Sequence, residues 1–283
     1  MTDENKPSYP QIDIDAVIQN RNPKLKRLLP GFIMSYIKYI AHQDEMNGFL
    51  KQHGNLYGYE FLCEGLKFVG VNRNIINLEQ IPKGDRYIIA ANHPLGGIDG
   101  ISLMYEMIGH LGHAKTIAND LLMNIVNLRP LFVGVNSFGH NSRDHLKDID
   151  AALASDENII IFPSGLVSRR NNGVVKDLEW KKTFIQWSVK HKRDIIPVHI
   201  SGQMSDFFYN LAAIRKRLKI EANIEMFYLA HEMMKLRGKD LTMTFGKPIS
   251  FATFDNSLKP NEWALKVQEH VYELPFNCTK EFK

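Results

Sequence analysis

Cysteine is almost missing from this 283-residue chain: Cys63 and Cys278 stand far apart, without metal-ligand spacing. That excludes a disulfide scaffold and fits a reducing compartment. No run of about 18 apolar residues occurs, so nothing spans a bilayer as a single helix. The opening stretch, MTDENKPSYPQIDIDAVIQNRNPKLKR, begins with acids and has no apolar core of signal-peptide length, and the expected location is the cytoplasm. The excess of one sign of charge over the other is also small. A net +4 is too little to argue for nucleic acid, although it suits an anionic membrane surface or an acidic partner. Internal repeats and low-complexity tracts are absent. With 44% hydrophobic and 23% charged residues, the chain can bury a full core and is not disordered by composition.

The glycine loop of a dinucleotide-binding fold is missing too. The stretch YIIAANHPLGGIDG, Tyr87 to Gly100, runs from an apolar strand into glycines, but Leu95 stands where the fingerprint needs glycine. What the loop presents instead is an imidazole, His93, with a carboxylate, Asp99, further on.

Along the chain the texture changes twice. The first 30 or so residues are polar and hold Pro7, Pro10, Pro23 and Pro30. Ile33, Ile37 and Ile40 then recur at helical spacing, and a second helical stretch is expected through Phe61 and Leu66. From about residue 75, short apolar runs (RYIIAA, KTIA, LFVGV, NIIIF, IIPVHI) alternate with helical patterns such as DGISLMYEMIGHL and LEWKKTFIQWSVKHK. This alternation predicts an α/β domain with a mostly parallel central sheet flanked by helices. The boundaries expected are 1–74 for an N-terminal lead-in with amphipathic helices, 75–255 for the α/β domain, and 256–283 for a C-terminal helix and tail.

In open α/β sheets the working residues gather at the carboxyl ends of strands. Two predicted strand ends carry reactive types here: His93 and Asp99 after RYIIAA, and IFPSGLVSRR after NIII. Pro94 disfavours helix at His93, and Gly96 and Gly97 let the chain fold back toward Asp99. A carboxylate on one ring nitrogen fixes the tautomer and leaves the other nitrogen as a base. Asn92 and Asp99 acting only as helix caps, with His93 an ordinary loop residue, is the competing reading. In the second loop, Arg169 and Arg170 suit phosphate or carboxylate, or else form a plain exposed basic loop.

Taken together, the two loops resemble the glycerophospholipid acyltransferase family, which includes the lysophosphatidic acid acyltransferases. ANHPLGGIDG is similar to its Asn-His-x-x-x-x-Asp motif and IFPSGLVSRR to its Phe-Pro-Glu-Gly-Thr-Arg-Ser motif. LRPLFVGVNSFG falls where the acceptor-binding motif stands, IIPVHI resembles the Pro-containing strand, and FGKPIS the final strand and turn. The match runs from about Tyr87 to Ser250, in the family's order. Two departures point to a bacterial hemolysin-like branch that includes acyltransferases making ornithine and glycine lipids. His93 and Asp99 are separated by five residues rather than four, and Ser164 and Leu166-Val167 replace Glu and Thr-Arg.

The resemblance implies transfer of a fatty acyl group from an acyl carrier protein or coenzyme A thioester to a lyso-lipid hydroxyl, with no cofactor and no metal. His93 would be the general base and Asp99 its orienting partner. Asn92, Gly96, Gly97, Asn136, Ser164, Gly165, Ser168, Arg169 and Arg170 would contact substrate, the glycine amides as candidate oxyanion donors and the arginines on an anionic headgroup. A non-catalytic lipid-binding protein or an acyl-thioesterase of the same fold are the alternatives. Attachment to the inner face of the membrane is expected through Phe32–Ile40, Phe207–Lys219 or both. In the latter, Phe207, Leu211, Ile214 and Leu218 share one helical side beside Arg215, Lys216, Arg217 and Lys219, although a core-facing stripe with solvated charges has the same pattern.

Three weaker signals are set aside. GVNSFG is one residue too long for a nucleophile elbow, and HEMMK at His231 lacks the second histidine of a zinc protease. His110 with His113, and His140 with Asp144 or His145, lack an evident third metal ligand.

Overall fold

A computed structural model describes residues 11–119 except 22, then 122–135, 143–218 except 172, 225, and 228–283. The N-terminal part is helical: α1 (Ile14–Arg21), α2 (Pro23–Leu28), α3 (Gly31–Ile40), α4 (Gln43–His53) and α5 (Gly58–Val69). Strand β1 (Asn72–Ile76) follows, then β2 (Tyr87–Ala91), α6 (Gly97–Leu111), β3 (Lys115–Asn119), β4 (Phe132–Val135), α7 (Arg143–Ala154) and β5 (Ile159–Ile161). A small hairpin, β6 (Arg169–Asn171) and β7 (Val174–Lys176), leads to α8 (Thr183–His191), β8 (Asp194–Ile200), α9 (Asp206–Arg217), α10 (Leu229–Met234), β9 (Asp240–Phe245) and α11 (Pro260–Glu273).

Seven strands form one sheet in the order β1-β9-β8-β2-β5-β3-β4. β8, β2, β5, β3 and β4 run parallel, while β9 is antiparallel to β8 and carries β1 parallel to itself. The expected mostly parallel α/β architecture is therefore present. β2 sits in the middle with all five residues buried. The two-residue period of a strand sends neighbouring side chains to opposite faces. Ile89 and Ala91 thus join the layer containing Leu62, Leu66, Ile98 and Leu103, while Ile88 and Ala90 join Leu153, Phe184, Val267 and Val271. A strand covered on both faces reads as the continuous apolar run seen in YIIAA.

The first strand opens at Asn72, inside the segment read as a lead-in, and α11 packs on β8 and α8 as part of the layered unit. On α9, Phe208, Tyr209 and Ala212 are buried, and Phe207 (49% exposed), Ile214 (55%) and Leu218 (63%) face out. The stripe seen in the sequence is thus the outer side of the helix, with Leu211 half-buried at its margin. On α3 the roles reverse. Ile33 and Ile37 are half-buried and Ile40 buried, while Phe32, Tyr36 and Tyr39 are exposed. Among the described residues, no helix is long and apolar enough to cross a membrane.

Candidate active site

Strand β2 delivers its last residue to the carboxyl edge of the sheet, where Asn92 takes over. Its amide donates to the Ile200 carbonyl at 2.8 Å, and its carbonyl accepts from the Ile200 amide at 2.6 Å. Buried at 2% exposure, Asn92 extends the β2–β8 ladder with its side chain and clamps the loop root.

His93 and Asp99 come together. The imidazole Nδ1 lies 3.0 Å from Asp99 Oδ2, and the same oxygen accepts the Leu95 amide at 2.8 Å. The loop turns at Gly96, whose φ of +74° is a conformation open to glycine and strained for other residues. A Cβ there would stand 3.3 Å from the side chains of Leu229 and Met204, which would have to give by a few tenths of an ångström. Helix α6 then starts at Gly97 and places Asp99 in its first turn. His93 Nε2 has no hydrogen-bond partner among the described residues, and the ring stacks on Phe162 with centroids 4.2 Å apart. The histidine side chain is 19% exposed and Asp99 is fully buried.

Burial pushes the Asp99 carboxyl above its ordinary value, against the lowering effect of the His93 and Leu95 bonds. Its second oxygen, Oδ1, has no partner among the described residues. The pair thus stores an underpartnered buried charge that gains when the imidazole becomes cationic.

The second loop is knotted to the first. The Ser168 amide donates to the His93 carbonyl at 2.8 Å, and the Ser168 hydroxyl to Asp177 Oδ1 at 2.5 Å. Asp177 Oδ1 also accepts the His93 amide at 3.1 Å, and Oδ2 accepts the Trp180 indole N–H at 3.0 Å. The Asp177 amide donates to the Tyr272 hydroxyl at 2.8 Å, and burial, then the Asp177 charge, pushes that phenol up, keeping it protonated. Asp177 belongs to no motif, and no local pattern in VVKDLEW marks it; only the fold brings it to His93.

Several expected substrate contacts have other partners. Ser164 is buried and donates to Leu166 O at 2.7 Å, and the Gly165 amide closes a turn onto Phe162 O at 2.9 Å. The amides of Gly96 and Gly97 have no hydrogen-bond acceptor among the described residues. Arg169, expected on an anionic headgroup, pairs with fully buried Glu225 at 3.5 Å and donates to Val167 O at 3.0 Å. Burial holds its guanidinium below the usual value, opposed by Glu225. Arg170 pairs with Asp206 and lies over the Tyr209 ring. A further cation, Lys181, stands at this loop: its Nζ is 3.1 Å from where a Gly165 Cβ would be. A long exposed side chain reaching back from another segment leaves no signal in local sequence.

Asn136, His140 and the side chains of Asp144 and His145 lie outside the described residues. His110 Nε2 bonds the Ile81 carbonyl at 2.8 Å and His113 faces Glu157 at 3.7 Å, and no cluster of three or more metal-ligating side chains occurs among the described residues.

A family model described as Acyltransferase matches residues 16–275. A curated lyso-glycine lipid O-acyltransferase of Bacteroides thetaiotaomicron is 47% identical over 264 residues, covering 93% of this chain and 97% of the relative. A second protein of that name, from Phocaeicola vulgatus, is 46% identical over 264 residues, covering 93% and 95%. The crystal structure of the 1-acyl-sn-glycerophosphate acyltransferase PlsC from Thermotoga maritima is 19% identical, with a TM-score of 0.49 and coverage of 94% and 93% of the two chains.

Proposed function

The chain belongs to the acyltransferase family, and from that premise we propose that it moves a fatty acyl group from a thioester, carried by acyl carrier protein or coenzyme A, to the hydroxyl of a lyso-lipid. The acceptor assigned is a lyso-glycine lipid, the substrate class in the names of both curated relatives. The observation that carries the mechanism is the 3.0 Å contact between His93 Nδ1 and a fully buried Asp99, which leaves Nε2 without a hydrogen-bond partner among the described residues.

In this reading Nε2 takes the proton of the acceptor hydroxyl as its oxygen attacks the thioester carbon. Asp99 holds the proton-bearing Nδ1 and stabilises the imidazolium that forms. The amides of Gly96 and Gly97, at the start of α6, are the donors available to the oxyanion, whereas the Gly165 amide is already engaged. Collapse of the tetrahedral intermediate expels the thiolate, which recovers the proton from His93, and no acyl-enzyme forms. Lys181 is assigned to an anionic group of donor or acceptor, because Arg169 and Arg170 are occupied by Glu225 and Asp206.

Access to the lipid is assigned to one surface. Tyr36 and Tyr228 share a hydroxyl contact at 2.7 Å, and Phe207 packs on Tyr228 with centroids 4.9 Å apart. These contacts join the exposed aromatics of α3 to the outward side of α9, whose last turn carries Lys216 and Arg217. An apolar surface rimmed by cations suits a peripheral seat on an anionic membrane.

The test is acyl transfer to purified lyso-glycine lipid. General-base assistance is worth roughly 10²- to 10⁴-fold, so His93→Ala should lose at least that much turnover while melting near wild type. Near-normal turnover in the mutant would sink the mechanism. Release of free fatty acid independent of acceptor would identify a thioesterase instead.

A further inference from the structure

We propose that Asp177 is a positioning residue of the acyl-transfer reaction: it holds His93 by its backbone and locks the two active-site loops into one body. The inference rests on the general-base reading of His93.

Both backbone groups of the histidine are held from outside its own loop. Its N–H donates to Asp177 Oδ1 at 3.1 Å, and its C=O accepts the Ser168 amide at 2.8 Å. Ser168 is in turn tied to the same Asp177 oxygen at 2.5 Å, which closes a ring of three hydrogen bonds. Asp177 is 7% exposed and is braced by Trp180 through Oδ2 and by Tyr272 of α11 at its backbone. The clamp therefore draws on the segment after the β6–β7 hairpin, the approach to α8 and the closing helix.

The brace is needed because the loop cannot position the imidazole alone. From His93 to Asp99 the chain passes through Gly96 and Gly97, the residues with the most backbone freedom. Asp99 fixes the ring at one nitrogen, but a single hydrogen bond lets the ring pivot with the backbone. Two further bonds at the peptide groups remove that motion, and a displacement of about 1 Å at a catalytic group costs on the order of 10²-fold in rate. Charge contributes as well, since a charge-assisted acceptor holds an N–H more tightly than a neutral one.

The experiment uses the full-length protein and compares Asp177→Ala, Asp177→Asn and Ser168→Ala, singly and in a His93→Ala background. Asp177→Ala should lower kcat about 100-fold, with KM for lyso-lipid and donor changed less than about threefold. Asp177→Asn keeps a carbonyl acceptor and should lose about 10-fold, and Ser168→Ala about 5-fold. In the His93→Ala background the same changes should add nothing to the residual rate, because the clamp acts only through that imidazole. If Asp177→Ala does not fold, as judged by its melt, the other two variants decide the question. Full kcat in Asp177→Asn and Ser168→Ala, a rise in KM alone, or an equal loss without His93 would overturn the proposal. Normal turnover in His93→Ala alone would instead overturn the general-base reading on which it rests.

Discussion

Replacing Asp99 with asparagine should slow catalysis without destabilising the fold. Asp99 Oδ2 receives two donors, the Leu95 amide at 2.8 Å and His93 Nδ1 at 3.0 Å. The Leu95 N–H can only donate, so asparagine must turn its carbonyl, not its NH2, toward that position. The His93 Nδ1–H then keeps an acceptor and the ring keeps its tautomer. What disappears is the charge opposite the imidazolium. A hydrogen bond to a charged group is worth about 1.5–3 kcal/mol against about 1 kcal/mol for a neutral one, so the loss is roughly 0.5–2 kcal/mol, or about 2- to 30-fold in kcat. Stability behaves differently. Burial raises the carboxyl's pKa, which means the folded state penalises the ionised form, and a neutral side chain relieves that penalty near pH 7. Asparagine places its NH2 at the Oδ1 position, which has no partner among the described residues, and this offsets part of the gain. The expected result is a melting temperature equal to or above wild type with an initial rate of acyl transfer slower by about 2- to 30-fold. A loss beyond about 10⁴-fold would show that the tautomer was lost, and a marked fall in melting temperature would show that the carboxylate supports the fold; either refutes the reasoning.

Two further outcomes follow from the surface and the interior. Phe32→Ser combined with Phe207→Ser should weaken binding to anionic vesicles by about 100-fold or more, since burying each ring is worth roughly 2 kcal/mol; flotation of the vesicles without wild-type protein at low salt would end the membrane assignment. Burial lowers His199 from 6.5 to about 4. The unfolded chain therefore binds that proton first, so the stabilising contribution is full above pH 6.5 and is lost as pH falls toward 4, by no more than about 3 kcal/mol. Unfolding by denaturant across that window should show a shallower acid loss in His199→Phe, and parallel curves would refute it. Burial lowers His231 and His270 as well, so only the difference between the two proteins reports on His199.

Much of the fold was legible because its signals are local. The run YIIAA reads as a strand covered on both faces, and the alternation of short apolar runs with helical patterns predicts the parallel sheet. The reversed direction of β9 and β1 was not legible, since strand direction within a sheet depends on the path of the connections and not on side-chain period. In the candidate site, the meeting of His93 with Asp99 was legible because glycines, proline and spacing all lie in one loop. The partners of the arginines were not legible for the opposite reason: Arg169 reads as an exposed cation until Glu225 and Phe208 close on it from other segments. On α3 the periodicity was read correctly, but the exposed side proved to be Phe32, Tyr36 and Tyr39, which have the same spacing as the buried one.

By itself, then, the sequence determined where strands and helices form and which loop offers an imidazole beside a carboxylate, because backbone preference and side-chain period act over a few neighbouring residues. Tertiary structure alone decided which charges stay available and what holds the imidazole still. Glu225, Lys181, Asp177 and Tyr272 reach the two loops from distant parts of the chain, and a pairing made through space leaves no trace in local order.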